Sequence, residues 1–228
     1  MAMPPWLQLM ADSLPSLLYA GFVFTVPLTL LSFAFGLALG LAAALIRLFG
    51  PRPLVLLVRG YSWLVRGTPL LVQLFVIFYG LPRVGIVFDP FPAALLGFTL
   101  SVGAYTSEVI RAAISSVPKA QWEAAYSLGM SWQQAMRRTI LPQAGRVAVP
   151  PLANSFISLV KDTSLAAVLT VPEMFQAAQR IAATTYEPLL LYLETALIYL
   201  LLSTVLTWLQ ERLEKRFDRH VTAVGTAA

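Results

Sequence analysis

The stretch SLPSLLYAGFVFTVPLTLLSFAFGLALGLAAALI, Ser13 to Ile46, decides the class of this fold. Asp12 precedes it, Arg47 follows it, and none of the 34 residues between carries a charge. About 20 apolar residues in a helix cross a bilayer core, so this stretch exceeds one span. The pattern repeats outward along the chain. Arg66 to Arg83 encloses 16 uncharged residues, and Asp89 to Glu108 encloses 18. Arg146 to Glu173 is interrupted only by Lys161 and Asp162, and Pro188 to Gln210 only by Glu194. Over all 228 residues, 58% are hydrophobic and 12% charged, half the charge usual in a soluble domain. Mean hydropathy is +0.74. Such a chain cannot cover itself with polar side chains in water. The expectation is an all-α integral membrane protein with five transmembrane helices, near 18–46, 60–81, 92–114, 149–171 and 189–210.

Orientation follows from lysine and arginine, which collect on the cytoplasmic side of a membrane. With the N-terminus outside and the C-terminus cytoplasmic, the inner segments hold 13 cationic residues: Arg47, Arg52, Arg59, Arg66, Arg111, Lys119, Arg137, Arg138, Arg146, Arg212, Lys215, Arg216 and Arg219. The outer segments hold Arg83 and Arg180 alone. The net charge of +5 therefore marks topology, and a nucleic-acid partner is not expected. The start of the chain lacks a basic run and contains Asp12, so a cleaved signal peptide is not expected either. The tail beyond Arg219, rich in small residues, is expected to fray.

Composition removes several kinds of chemistry. The chain has no cysteine, hence no disulfide, thiolate nucleophile or cysteine-bound metal. Its one histidine, His220, lies in the polar tail, far from any partner for a metal cluster or catalytic dyad. None of the lysines follows a glycine-rich turn of P-loop form. No catalytic residue, metal or cofactor is expected, and the chain does not hydrolyse ATP itself.

The longest polar stretch, residues 115–146, reads as two short helices. Pro118 suits a first helical turn, Gly129 suits a helix end, and Ser131 with Gln134 forms a capping box that restarts a helix at Trp132. Pro142 is expected to stop it. Physics alone leaves two readings open, an amphipathic pair resting at the membrane surface or a docking surface for another protein.

Here the residues resemble a known family. Glu123-Ala124-Ala125, three residues, Gly129, then ten residues to Leu141-Pro142 is similar to the EAA loop of type I ATP-binding-cassette importer permeases. Thr139 stands where that pattern usually has isoleucine. Arg66-Gly67-Thr68-Pro69-Leu70-Leu71-Val72-Gln73, Tyr79-Gly80-Leu81-Pro82, and Lys161-Asp162-Thr163-Ser164-Leu165 resemble the polar amino-acid branch, the histidine, glutamine and cystine type. Val160 stands where that branch usually has leucine. The resemblance covers about residues 20 to 215 and implies a multi-pass subunit of the bacterial cytoplasmic membrane. Glu123, Ala124, Ala125, Gly129, Leu141 and Pro142 would then couple it to a cytoplasmic ATPase dimer. A second permease subunit, identical or different, and an extracytoplasmic solute-binding protein would complete the assembly.

Three charges fall within spans. Lys161 lies about 16 Å along a helix begun at Pro150, near the middle of a core about 30 Å thick. Charges at that depth face the protein interior or a wet cavity. Lys161 and Asp162 could neutralise one another, Lys161 could pair with Glu108, or Asp162 could cap a helix restarting at Thr163. Glu108 and Arg111, three residues apart, could form a local pair. Alternatively Glu108, Lys161 and Asp162 line a substrate path, since an amino acid presents one ammonium and one carboxylate. The expected organisation is an N-terminal segment, 1–17, a permease domain, 18–212, containing the coupling loop, and a tail, 213–228. The rival readings are a stand-alone secondary amino-acid transporter or channel and, more remotely, an intramembrane hydrolase using Ser164 beside Lys161.

Overall fold

A computed structural model describes residues 4–218; His220 and the tail expected to fray lie outside them. Eight helices follow one another: α1 (Pro5–Phe49), α2 (Arg52–Gly67), α3 (Leu70–Val84), α4 (Pro90–Ser115), α5 (Lys119–Ser127), α6 (Trp132–Leu169), α7 (Met174–Thr185) and α8 (Pro188–Asp218). No strand occurs among the described residues. Helices α1, α4, α6 and α8 are each long and apolar enough to cross a membrane, and the bent pair α2–α3 makes a fifth candidate span.

The boundaries differ from expectation where charge or proline was the guide. Helix α1 begins at Pro5, which occupies a first-turn position that needs no amide donor. Asp12 does not end it, because its side chain is simply exposed on the helix surface. The expected second span is broken. Proline disfavours the helical conformation of the residue before it, so Thr68 is extended (φ −121°, ψ 146°) ahead of Pro69. There α2 and α3 meet at 107°. Gln73 secures the bend: its Nε2 donates to the carbonyl oxygens of Val65 at 2.7 Å and Thr68 at 3.0 Å, groups that the broken helix leaves without backbone partners. Pro142 does not stop α6, and Asp162 neither caps nor restarts it. The helix runs on, tightens into a 3-10 form over Thr163–Leu169, and ends where Thr170 turns left-handed at φ 62°.

Three prolines within helices are accommodated alike. The backbone widens into one π turn over Gly21–Thr25, Val76–Gly80 and Met136–Ile140, and each turn ends two residues before Pro27, Pro82 or Pro142. In each case the amide just ahead of the proline reaches a carbonyl five residues back: Val26 to Gly21, Leu81 to Val76, Leu141 to Met136. The extra residue makes room for a ring that would otherwise strike the carbonyl four residues earlier.

Helix α1 packs along α4 more extensively than any other pair. Lipid supplies no hydrophobic drive for helices to associate, so close backbone approach at small residues takes its place. Gly36 and Gly40 provide it. A Cβ on Gly36 would sit 2.5 Å from Val102 Cγ1, and one on Gly40 would strike Thr106 Oγ1 and lie 3.1 Å from the Gly103 oxygen. Helix α4 continues onto α6, and α8 lies against α6 and α7. One apolar cluster gathers Leu28, Leu74, Phe98 and Leu169. A second joins Ile110 and Ile114 to Met136 and Ile140 of the loop helices. Glu173, fully buried, begins α7: it accepts from the amides of Phe175 (2.9 Å) and Gln176 (2.7 Å) and from the Tyr199 hydroxyl (2.9 Å).

Gly40→Ala adds one methyl group to the α1–α4 contact and is expected to lower the midpoint of thermal unfolding in detergent, overpacking typically costing about 1–3 kcal/mol. Gly60→Ala, where nothing stands within 4 Å, is expected to leave it unchanged or raise it slightly. Equal effects from the two would show that this contact is not tight.

Candidate functional site

The loop helices build the first surface. Pro118 opens α5 with extended backbone, and Gly129 leaves it at φ 74°, the left-handed conformation that glycine adopts without strain. The capping box restarts the chain as expected: Ser131 N–H donates to Gln134 Oε1 at 2.9 Å, and Gln134 N–H donates to Ser131 Oγ at 3.3 Å. Gln143 Nε2 donates to Gln121 Oε1 at 3.1 Å, tying α5 to α6. Ala125 turns inward and is buried, while Glu123 and Ala124 are exposed. Tyr126, Leu128 and Trp132 are exposed beside them, Leu128 at 77%. Leu141 and Pro142 are exposed on the start of the long helix. One short, rigid helix thus presents a carboxylate, a flat alanine surface and apolar side chains away from the body of the protein.

The second feature is a cavity of about 440 Å³ between α4 and α6. Ser101 and Tyr105 reach it from α4; Asn154, Ser155, Ser158 and Asp162 reach it from α6; Leu70 closes one side beside the bend. Asn154, Ser158 and Asp162 recur every four residues, so they form one stripe along the helix. Gln210 of α8 fixes the first of them, its Nε2 donating to Asn154 Oδ1 at 3.1 Å. Tyr79, from the Tyr79-Gly80-Leu81-Pro82 run, donates to the Val168 carbonyl oxygen at 3.0 Å and so holds the tightened end of α6 against α3. Of these polar residues Asp162 alone stands out in the sequence by its charge; Ser101, Asn154, Ser155 and Ser158 join it in the fold. The signal was available: polar residues at fourfold spacing inside an apolar helix mark an inward or wet face.

The remaining charges separate from that cavity. Glu108 does not pair with Lys161. It is met instead by three arginines, making an ion pair with Arg47, another with Arg111 (Nη2–Oε2 3.0 Å), and a longer one with Arg66 (3.6 Å). The local Glu108–Arg111 pair is therefore present, within a larger cluster. Glu108 lies less than one turn beyond Tyr105 on α4, and the Arg66 guanidinium stands 5.5 Å from the Tyr105 ring centre, so the cluster adjoins the mouth of the cavity. Lys161 and Asp162 point apart, as neighbouring residues on a helix do: Asp162 lines the cavity and Lys161 is exposed outside its lining. Among the described residues no group of three or more metal-ligating side chains comes together.

Comparison with known proteins agrees with this geometry. Residues 36–219 match the family described as binding-protein-dependent transport system inner membrane component. The chain is 50% identical to the L-cystine transport system permease protein TcyB of Bacillus subtilis (strain 168), over 95% of this chain and 93% of that protein. It is 41% identical to the probable amino-acid ABC transporter permease protein YckA of the same organism, over 94% of each. The crystal structure of an amino acid ABC transporter with histidines superposes with a TM-score of 0.87 at 33% identity, covering 94% of this chain and all of that one. A subunit of the MetNI methionine ABC transporter shares the fold at a TM-score of 0.74 and 19% identity. The loop, the spans and these likenesses converge: the chain belongs to the family of binding-protein-dependent transport system inner membrane components, as a permease subunit of an ATP-binding-cassette importer.

Proposed function

We propose that this subunit forms the membrane path for a polar amino acid and is driven by a cytoplasmic ATPase dimer seated on the loop around Glu123. The observation that carries the reading is the outer face of α5, where Glu123, Ala124, Tyr126 and Leu128 stand exposed and Glu123 forms no ion pair among the described residues. The small alanine surface admits a close neighbour, and Glu123 supplies a charge to be paired. The second apolar cluster runs from this loop into α4, so movement of the loop is passed to a helix that lines the cavity. Leu141 and Pro142 belong to the same rigid start of α6, and Gly129 fixes the angle at which α5 is offered. An extracytoplasmic solute-binding protein would deliver substrate, and a second permease subunit, identical or different, would close the path on its open side.

Asp162, with the hydroxyls of Ser101 and Ser158 and the amide of Asn154, offers acceptors for an α-ammonium group. Glu108 stands at the inner end of the same face of α4, and Lys161, exposed outside the cavity lining, would join the path only once a second subunit closes it. The names of TcyB and YckA point to amino acids as cargo, and a cavity of this volume holds one. The ATPase would bias the subunit between outward-open and inward-open states by binding them unequally.

Asp162→Asn, or Glu108→Gln, is expected to abolish substrate-stimulated ATP hydrolysis in the assembled transporter while all subunits still co-purify; retained stimulation overturns the path. The chain lacks cysteine, so single thiols report cleanly on water. Ser158→Cys should react with a water-soluble methanethiosulfonate, whereas Ser107→Cys, at a fully buried position, should not. Glu123→Arg is expected to release the ATPase during co-purification, and an intact complex would remove Glu123 from the coupling surface.

A further inference from the structure

The inner end of α2 carries a groove apart from the cavity, sharing with the proposed path only Glu108. Its volume is about 360 Å³, and it is lined by Arg59, Ser62, Trp63, Arg66 and Gly67 of α2, by Arg47 from the last turns of α1, and by Glu108. The α2 residues recur at three- and four-residue spacing, so one face of the helix forms the wall. Charge there is unbalanced. Three guanidiniums, those of Arg47, Arg66 and Arg111, pair with one carboxylate, and a fourth, that of Arg59, lines the same groove. Arg59 forms no ion pair among the described residues.

A second observation points to a ligand. Ser62 is 5% exposed and borders the groove, yet its hydroxyl has no hydrogen-bond partner among the described residues. An unpartnered buried hydroxyl is costly, and buried polar groups in native structures are nearly always satisfied. Surplus guanidiniums beside a free hydroxyl donor make the chemistry of an oxyanion site. The surroundings identify the bearer of that anion. Leu56 and Trp63, on the same face as Arg59 and Arg66, are 66% and 77% exposed. Tryptophan at a span end sits at headgroup level, and basic residues on the inner side meet an anionic leaflet. A free anion would need the arginines and the hydroxyl alone; a lipid also uses the apolar side chains beside them.

We propose that this groove binds the phosphate of an anionic phospholipid from the inner leaflet, with Arg59 and Ser62 as its dedicated contacts and Arg47 and Arg66 shared with the Glu108 cluster. The lipid would then wedge the bend between α2 and α3 and neutralise the arginines that Glu108 leaves over. Its dedicated contacts, Arg59 and Ser62, lie outside the cavity lining, and the site does not depend on which amino acid is carried.

Native mass spectrometry of the assembled transporter in detergent tests the assignment, using phosphatidylglycerol and phosphatidylcholine of the same acyl chains. The wild type is expected to retain phosphatidylglycerol preferentially. Arg59→Gln should reduce that retention about fivefold, the weight of one basic residue at a charged lipid surface, and Ser62→Ala should reduce it measurably, both with unchanged assembly. Equal retention of the two lipids, or an unaltered preference in Arg59→Gln, overturns the proposal. Displacement of bound lipid by millimolar inorganic phosphate would assign the site to a free anion and overturn the lipid reading. Should Arg59→Gln fail to assemble, Arg59→Lys, which keeps the charge, is expected to restore assembly and the preference; loss of preference there would count against a charge-based site.

Discussion

In a bilayer core there is no water to receive a stray backbone N–H or C=O, so every such group must be satisfied within the protein. The chain carries 16 prolines, each lacking a donor, and several stand inside spans. The architecture is largely the record of how that conflict is resolved. Where a proline can be absorbed the helix continues, with one π turn ahead of Pro27, Pro82 and Pro142 and none ahead of Pro15, Pro150 or Pro151. Where it cannot, at Thr68–Pro69, the chain turns sharply, and the Gln73 side chain takes over the orphaned carbonyl oxygens. A motif that resembles a family signature thereby gains a physical explanation: the glutamine stands after the proline because the proline exposes what the glutamine binds.

Helix pairing answers the second demand of the same solvent. Lipid tails are as apolar as leucine, so attraction between α1 and α4 rests on contact distance. Gly36 and Gly40 let the two backbones meet, and Thr106 satisfies its hydroxyl within its own helix, donating to the Val102 carbonyl oxygen at 2.7 Å. The interface is therefore close and locally polar, and beside it the buried hydroxyls of Ser32 on α1 and Thr99 on α4 have no hydrogen-bond partner among the described residues. Polar groups that do not serve such contacts are concentrated along the cavity and in the arginine cluster, one side of α4 leading from the first to the second.

Much of this was legible in sequence. Uncharged runs gave the spans, the distribution of arginine gave an expected orientation, and Ser131 with Gln134 gave the restart of the loop helix. What stayed hidden involves partners distant in the chain. Counting charges could not show that Arg47 would reach Glu108 before Lys161 could, since helix packing decides that contest. The rule that proline stops helices misjudged Pro142, because the π turn ending two residues before it removes the clash with the carbonyl four residues back. Asp12 looked like a boundary and is a surface residue. The polar stripe below Asp162 was readable from its spacing, but serine and asparagine attract less notice than a charge.

The π turn over Met136–Ile140 also has a kinematic meaning. It holds one residue more than an α-helical turn, and an α-helix advances about 100° and 1.5 Å per residue. Were that surplus taken up or passed along the helix, everything beyond it would turn through about that angle. The turn lies between the loop around Glu123 and the face bearing Asn154, Ser158 and Asp162. A helix with a spare residue at that point has the geometry of a threaded joint, in which taking up the surplus would change which side chains face the cavity.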